Sequence, residues 1–170
     1  MRAAEPRDAA RISEIYNQGI EDGQATFETQ PRTSADIHAK LNAPGNHVIV
    51  AEWGGSAESQ PTGRSILGWA SISPYSPRPC YAGIGEASVY ISRSARHHGI
   101  GRLLLNALLD TGRRQGYHKL IGRLLVSNRA SRQLVRNAGF REVGIMEKHG
   151  RVHGAWHDIV LVERLIEENL

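Results

Sequence analysis

Arg96-His97-His98-Gly99-Ile100-Gly101 is the stretch on which the reading of this chain turns. It lies between a strand-like run, Ala87-Ser88-Val89-Tyr90-Ile91, and an amphipathic segment spanning residues 99–114. In that segment Ile100, Leu103, Leu104, Ala107 and Leu108 recur at i, i+3/i+4 spacing, which predicts a helix with one apolar face. Glycines at a helix mouth let an anion approach bare backbone N–H groups, and the helix dipole with Arg96 beside it favours negative charge there. The stretch is therefore read as a pyrophosphate site. Taken alone, R-x-x-G-x-G fits a glycine turn before an ordinary packed helix equally well.

At 170 residues the chain is expected to form a single domain, residues 1–170, with a core that needs no staples. The lone Cys80 excludes an internal disulfide framework and is too little for a cysteine-rich metal site. The opening residues show no apolar secretory region, and no apolar run approaches the ~20 residues of a membrane-spanning helix. A cytoplasmic protein with no membrane partner is the expectation. The net charge of +4 and pI of about 9.6 are spread among interleaved Asp and Glu rather than collected in a block. That argues against nucleic acid and for small anionic ligands.

Elsewhere the periodicity predicts a helix over residues 8–23, a second one with Ser34 as N-cap and Ile37 and Leu41 as its buried residues, and a third over 128–137 with Asn128 as N-cap and Gly139 as its stop. Strands are predicted over 47–53, 65–73, 86–91, 119–126, 140–146 and 156–162. A turn-rich insertion is read at 54–63 and a second turn at 150–154. Pro74, Pro77 and Pro79 stiffen the loop after the second strand. The order implies an α/β (α+β) fold: a central mixed, mostly antiparallel sheet flanked by helices. The order weakens the rival reading of a dinucleotide fold, because Gly101 is followed by Arg102, Leu103 and Leu104 with no third glycine, and no βαβ unit opens the chain.

With both glycine motifs in view the chain resembles the GNAT superfamily of acetyl-CoA-dependent N-acetyltransferases. Arg96-x-x-Gly99-x-Gly101 matches its pyrophosphate loop, and Asn128-x-x-Ser131 followed by Leu134 and Ala138-Gly139-Phe140 matches its second half-motif. Tyr16-Asn17, Ala25-Thr26-Phe27-Glu28-Thr29, Gly68-Trp69-Ala70, Arg78-Pro79-x-Tyr81, the 86–91 strand and Gly154-Ala155-Trp156-His157-Asp158 are most similar to the phosphinothricin and methionine-sulfone acetyltransferase group. Two positions depart from that pattern: Val135 stands where relatives often carry His, and Arg93-Ser94-Ala95 lacks the usual proline.

The resemblance implies direct transfer of acetyl from acetyl-CoA to a small-molecule amine, an amino acid or its analogue, without an acyl-enzyme and without metal. Val89, Tyr90 and Ile91 would meet the pantetheine arm. Arg96, His97, His98, Gly99, Ile100, Gly101 and Arg102 would hold the pyrophosphate, and Asn128 and Ser131 the far side of the coenzyme. Phe27, Glu28, Arg78, Tyr81, Glu86 and Ser88 would line the acceptor pocket, with Arg78 taking an anionic group through its guanidinium fork. Strand alternation places Glu86, Ser88 and Tyr90 on one face, and a Glu inside such a strand is the candidate general base. A solvent-facing edge carboxylate is its bland alternative. His149, His153 and His157 recur every fourth residue, but Gly150 and Gly154 break any helix that would gather them round zinc. Two other functions stay open: acetylation of a protein N-terminus or lysine, and a catalytically silent CoA-binding protein. The family likeness also implies a homodimer.

Overall fold

The structure, a computed structural model, describes residues 1–53 and 65–170; the insertion read at 54–63 lies outside them. The described residues form four α-helices and a seven-stranded sheet. In chain order these are β1 (Arg2–Ala3), α1 (Ala9–Glu21), α2 (Ser34–Asn42), β2 (His47–Glu52), β3 (Ile66–Pro74), β4 (Ile84–Ile91), α3 (Ile100–Arg114), β5 (Lys119–Leu125), α4 (Arg129–Asn137), β6 (Arg141–Val152) and β7 (Ala155–Leu165). The sheet runs β1-β2-β3-β4-β5-β7-β6. All neighbours are antiparallel except β4 and β5, which pair in parallel at Ile84↔Lys119, Gly85↔Leu120 and Glu86↔Ile121 and no further.

Each face of the sheet carries its own core. On one side Ala70 and Ile72 of β3 pack with Leu104, Leu105 and Leu108 of α3, and Ala87, Val89 and Ile91 of β4 lean on the same cluster. Val135 belongs to it as well, so this position serves packing. On the other side Val48, Val50 and Trp69 meet Ile12 and Ile15 of α1 and Ile37 of α2. Fully burying one such leucine or isoleucine contributes about 1.5–3 kcal/mol, so either helix layer is firmly anchored. Strand alternation then leaves Ser71, Ser73, Glu86, Ser88 and Tyr90 on the α1/α2 face.

Several predicted boundaries shift for local reasons. The α2 cap is Thr33, not Ser34: its hydroxyl accepts from the Asp36 N–H, and the Asp36 carboxylate accepts in return from the Thr33 N–H at 2.7 Å. β1 is too short to show any alternation and is fastened by Arg2, which pairs with Asp8 and Glu52. The largest correction concerns residues 147–152, read as loop but forming the second half of β6. The ladder slips between Met146 and Gly150, where Lys148 takes φ 47°, and its N–H donates to the Asp158 carboxylate at 2.7 Å. The reversal itself is only His153-Gly154, both with positive φ, as a tight two-residue hairpin turn requires.

Candidate functional site

Beyond Glu86 the strands β4 and β5 part, and one edge of β4 loses its partner. Which groups it exposes follows from parity. The Ser92 N–H donates to the Leu67 carbonyl at 2.8 Å, and the Tyr75 N–H to the Ile84 carbonyl at 3.1 Å. Even-numbered residues of β4 therefore turn their backbone toward β3, and the backbone groups of Ala87, Val89 and Ile91 face the gap. That gap is a cavity walled by Ala87, Val89, Gly122, Leu124 and Ser131. It offers an extended ligand the unpaired edge of a strand.

The gap opens into a cavity of about 460 Å³ lined by Val89, Ile91, His97, Gly99, Gly101 and Ser131, among others. Gly99 caps α3 with φ 77°, and His97 before it has φ 65°. The Arg102 and Leu103 N–H groups both turn back to the Gly99 carbonyl. Those of His97, His98, Gly99, Ile100 and Gly101 have no acceptor among the described residues. A row of unspent donors at the positive end of a fifteen-residue helix is suited to an anion. The role of Arg96 differs from expectation. Its guanidinium pairs with Asp22 at 2.7 Å, and its Nε donates to the Ile91 carbonyl at 3.3 Å, so it braces the loop rather than standing free. His98 likewise turns inward, its Nδ1 at 2.7 Å from the Arg96 carbonyl oxygen. Asn128 is engaged at both ends: its Oδ1 accepts from the Ser131 N–H, and its Nδ2 donates to the Gln24 carbonyl at 2.8 Å. This ties α4 to the loop between α1 and α2.

On the α1/α2 face, Glu86, Ser88 and Tyr90 line a second cavity of about 520 Å³ together with Phe27, Glu28 and Arg123. Glu86 is not a lone carboxylate in apolar surroundings. It receives both Nε and a terminal nitrogen of Arg123, at 3.0 and 2.5 Å, and this contact holds the guanidinium still more firmly protonated. Phe27 lies across the β6–β7 hairpin; a Cβ at Gly150 would sit 2.7 Å from its ring. The ring also meets His157 edge-on at 6.2 Å. Glu28 pairs with Arg32 at 2.7 Å. Tyr90 stacks on Trp69 at 4.8 Å and touches Tyr16 at the same distance; burial pushes its hydroxyl well up.

Arg78 and Tyr81 stand apart from these cavities. Arg78 is exposed at the head of the short turn Pro79–Tyr81, and Tyr81 packs edge-on against Tyr75. Cys80 is exposed on the same turn. His149 lines the acceptor-side cavity, His157 packs on Phe27 and His153 occupies the hairpin turn. Among the described residues there is no group of three or more His, Cys, Asp or Glu placed to hold a metal. Sequence reasoning missed Arg123, Lys40 and the polar side of β3, whose meaning lies in contacts between distant segments.

A sheet pried open beside a helix that offers bare amides, with a carboxylate at the fork, is an arrangement suited to a transferase with a long anionic donor. The chain belongs to the acetyltransferase (GNAT) family, whose model matches residues 12–140. It is 32% identical to a phosphinothricin N-acetyltransferase of Streptomyces coelicolor, covering 96% of this chain and 94% of that protein. It is 31% identical to an L-methionine sulfoximine/L-methionine sulfone acetyltransferase of Pseudomonas paraeruginosa, over 96% and 92%. Among solved structures it is similar to a ribosomal-protein-alanine N-acetyltransferase from Brucella melitensis (TM-score 0.88, 31% identity, 97% and 98% covered). It is similar also to a phosphinothricin acetyltransferase from Sinorhizobium meliloti in complex with acetyl-CoA (TM-score 0.86, 29% identity, 98% and 88% covered).

Proposed function

We infer that this chain is one acetyltransferase domain that moves the acetyl group of acetyl-CoA onto the amine of a small amino acid or amino-acid analogue, of the phosphinothricin or methionine-sulfone type. The observation that carries the reading is the fork after Glu86. A donor can run along the backbone edge of Val89 and Ile91 toward the free amides of His97–Gly101, while an acceptor approaches through the other face, both meeting at the fork. The fit is supported by the donor set: N–H groups for a pyrophosphate, an unpaired strand edge for the amide-bearing arm, and Asn128 and Ser131 closing the far wall. Acetyl-CoA as substrate supplies the activated acyl carbon. No residue of the site calls for a metal.

In this reading Glu86, at the fork, accepts the ammonium proton of the acceptor, directly or through a water, and Arg123 holds the carboxylate in place for it. The backbone N–H of Val89, facing the gap, is directed at the carbonyl oxygen of the thioester. Phe27 and Glu28 form the lid side of the pocket, with Ser88 on its floor. Arg78 and Tyr81 act from the rim. The closure of Phe27 onto Gly150 favours a compact acceptor over a polypeptide. The likeness to an enzyme named for a ribosomal-protein alanine makes an N-terminal peptide the second reading. We also infer a cytoplasmic homodimer with no nucleic-acid or membrane partner. Val143, Ile145 and Trp156 leave 44%, 54% and 57% of their surface exposed along the β6–β7 hairpin, an apolar edge suited to a second copy.

Thiol release from acetyl-CoA across a panel of amines tests the assignment. The panel holds phosphinothricin, methionine sulfone, an alanyl-terminated peptide, a polyamine and an arylamine. Turnover should be highest on one of the two amino-acid analogues. Preference for the peptide replaces the first reading with the second, and preference for the polyamine or arylamine removes both.

A further inference from the structure

The segment that joins α1 to α2 is a wall of two cavities at once. Asp22, Gln24 and Ala25 line the donor cavity at the mouth of α3. Ala25 is shared with the cavity at Glu86, which Thr26, Phe27 and Glu28 then continue to line. Backbone pairing does not hold the segment in this course. The Gly23 N–H still turns back to the Ile20 carbonyl, but those of Gln24, Ala25, Thr26 and Phe27 have no acceptor among the described residues.

Side chains hold it instead. Ahead of the turn, Asp22 pairs with Arg93 and Arg96, both at 2.7 Å. Past it, the Thr26 hydroxyl lies 3.3 Å from that of Tyr16 and accepts the Glu28 N–H at 3.1 Å. Between these two points the Asn128 Nδ2 donates to the Gln24 carbonyl at 2.8 Å, from a residue 104 positions away that lines the donor cavity itself. The Asn128 amide has one workable orientation. Its oxygen accepts from the Ser131 N–H at 3.0 Å as the cap of α4, and reversing the group would set that oxygen against the Gln24 carbonyl. Capping alone asks only for an oxygen, which Ser or Asp supplies as well as Asn. The nitrogen is what the cap leaves unexplained.

We propose that Asn128 is a positioning residue of the acceptor site: by holding the Gln24 carbonyl from the donor side, it sets the course of residues 24–28 and so the place of Phe27 and Glu28 opposite Glu86. Phe27 lies only three residues past the pinned carbonyl, and its ring then closes on Gly150 and His157. The contact itself is independent of the reading given under Proposed function; the identity of the acceptor rests on it. The family resemblance implies a coenzyme ligand at Asn128. Here its nitrogen serves the acceptor wall, and Ser131 with the head of α4 keeps the donor wall.

Two variants separate the nitrogen from the cap. Asn128→Ser keeps a capping oxygen and removes the donor to Gln24; Asn128→Asp keeps size and cap but turns an oxygen on that carbonyl. Chymotrypsin cleavage of the native protein after Phe27, located by mass spectrometry, reports how often the segment leaves its place. It should quicken roughly 2- to 10-fold in Asn128→Ser, the span one exposed hydrogen bond gives, and at least as much in Asn128→Asp. In steady-state kinetics KM for methionine sulfone should rise by a similar factor, while KM for acetyl-CoA in Asn128→Ser moves less than about twofold. A general loosening of the fold would not split the two constants. The proposal is overturned if cleavage after Phe27 is unchanged in both variants, or if KM for methionine sulfone stays as in the parent. It is overturned equally if KM for acetyl-CoA rises by as much or more, which returns Asn128 to the coenzyme. Failure of the underlying reading looks different. If the parent acetylates neither methionine sulfone nor phosphinothricin, acetyltransfer to these amino acids is removed, and the cleavage rates alone decide whether Asn128 holds the segment.

Discussion

The two sides of β4 are built on opposite plans. On the α3 side the candidate donor site is almost entirely backbone: the edge of Val89 and Ile91, and the amides of His97 to Gly101. On the α1/α2 side the candidate acceptor site is almost entirely side chains: Glu86 with Arg123, Lys40 with Ser73, and an aromatic stack of Tyr16, Tyr90 and Trp69. A backbone site tolerates change in side chains but not in conformation, whereas a side-chain site can be retuned residue by residue. The donor is therefore the fixed part of the reaction and the acceptor the variable part.

The largest expected effect falls on the side-chain half. Glu86→Gln keeps the size of the group and a contact to Arg123 but removes the proton acceptor. It should lower kcat by about 10²–10⁴-fold at neutral pH and leave CoA affinity unchanged. The loss should shrink as pH rises, because more of the amine then arrives deprotonated. A pH–rate profile of parent and variant on the best amine of the panel measures both. An unchanged kcat at every pH returns Glu86 to a structural anchor for Arg123 and leaves the acceptor face without a base.

The backbone half should break through conformation alone. Gly99 has φ 77°, and a Cβ placed on it would meet nothing within 4 Å, so Gly99→Val strains the cap without any clash. A β-branched residue in that region costs about 1–3 kcal/mol. CoA affinity by calorimetry should fall roughly 10- to 100-fold while the fold persists. Gly101 is the poorer site for this experiment, since its Cβ would sit 3.1 Å from Leu134 and disturb the packing of α3 on α4. Unaltered affinity in Gly99→Val would sink the assignment of the helix mouth to the pyrophosphate.

The same contrast explains what was legible in the sequence. The helix mouth is a local object: Gly99 and Gly101 are adjacent to the helix whose amides they bare, and the Asn128 cap closes on Ser131 three residues later. Pattern and spacing suffice for such features. Glu86 and Arg123 are 37 residues apart, and Lys40 and Ser73 are 33; only the folded sheet brings either pair together. Arg96 was legible as a cation beside the loop, but its partner Asp22 sits at the end of α1. The second half of β6 escaped because most of its residues are exposed and show no apolar alternation, and the hairpin turn uses His153 where Asn is the usual signal.

Asp22 gives a smaller effect that sharpens the donor side. Burial alone would raise its carboxyl, but hydrogen bonds from Arg93 and Arg96 outweigh that and hold it below the ordinary value of 3.8. A carboxyl depressed in the folded state stabilises fully above its unfolded value, and the contribution is lost as pH falls through the lower folded one. Asp22→Asn should cost about 1 kcal/mol of stability at neutral pH. In urea titrations the gap between parent and variant should stay constant down to about pH 4 and close below it. CoA affinity should fall only about fivefold, because the amides and not Arg96 carry the anion.

Arg78 should give the smallest effect, and the comparison depends on its being small. It stands on an exposed turn, its backbone N–H donating to the Ser76 hydroxyl, and its side chain does not line the acceptor-side cavity. A guanidinium acting across solvent is worth about 0.2–1 kcal/mol. Arg78→Ala should therefore raise KM for an amino-acid acceptor by roughly 1.4- to 5-fold, with kcat and acetyl-CoA KM unchanged. The increment should fade at high salt, as screened charges do. Steady-state kinetics of the parent and Arg78→Ala at low and high ionic strength measure both. A large, salt-resistant KM effect would place the acceptor's anionic group at this exposed turn.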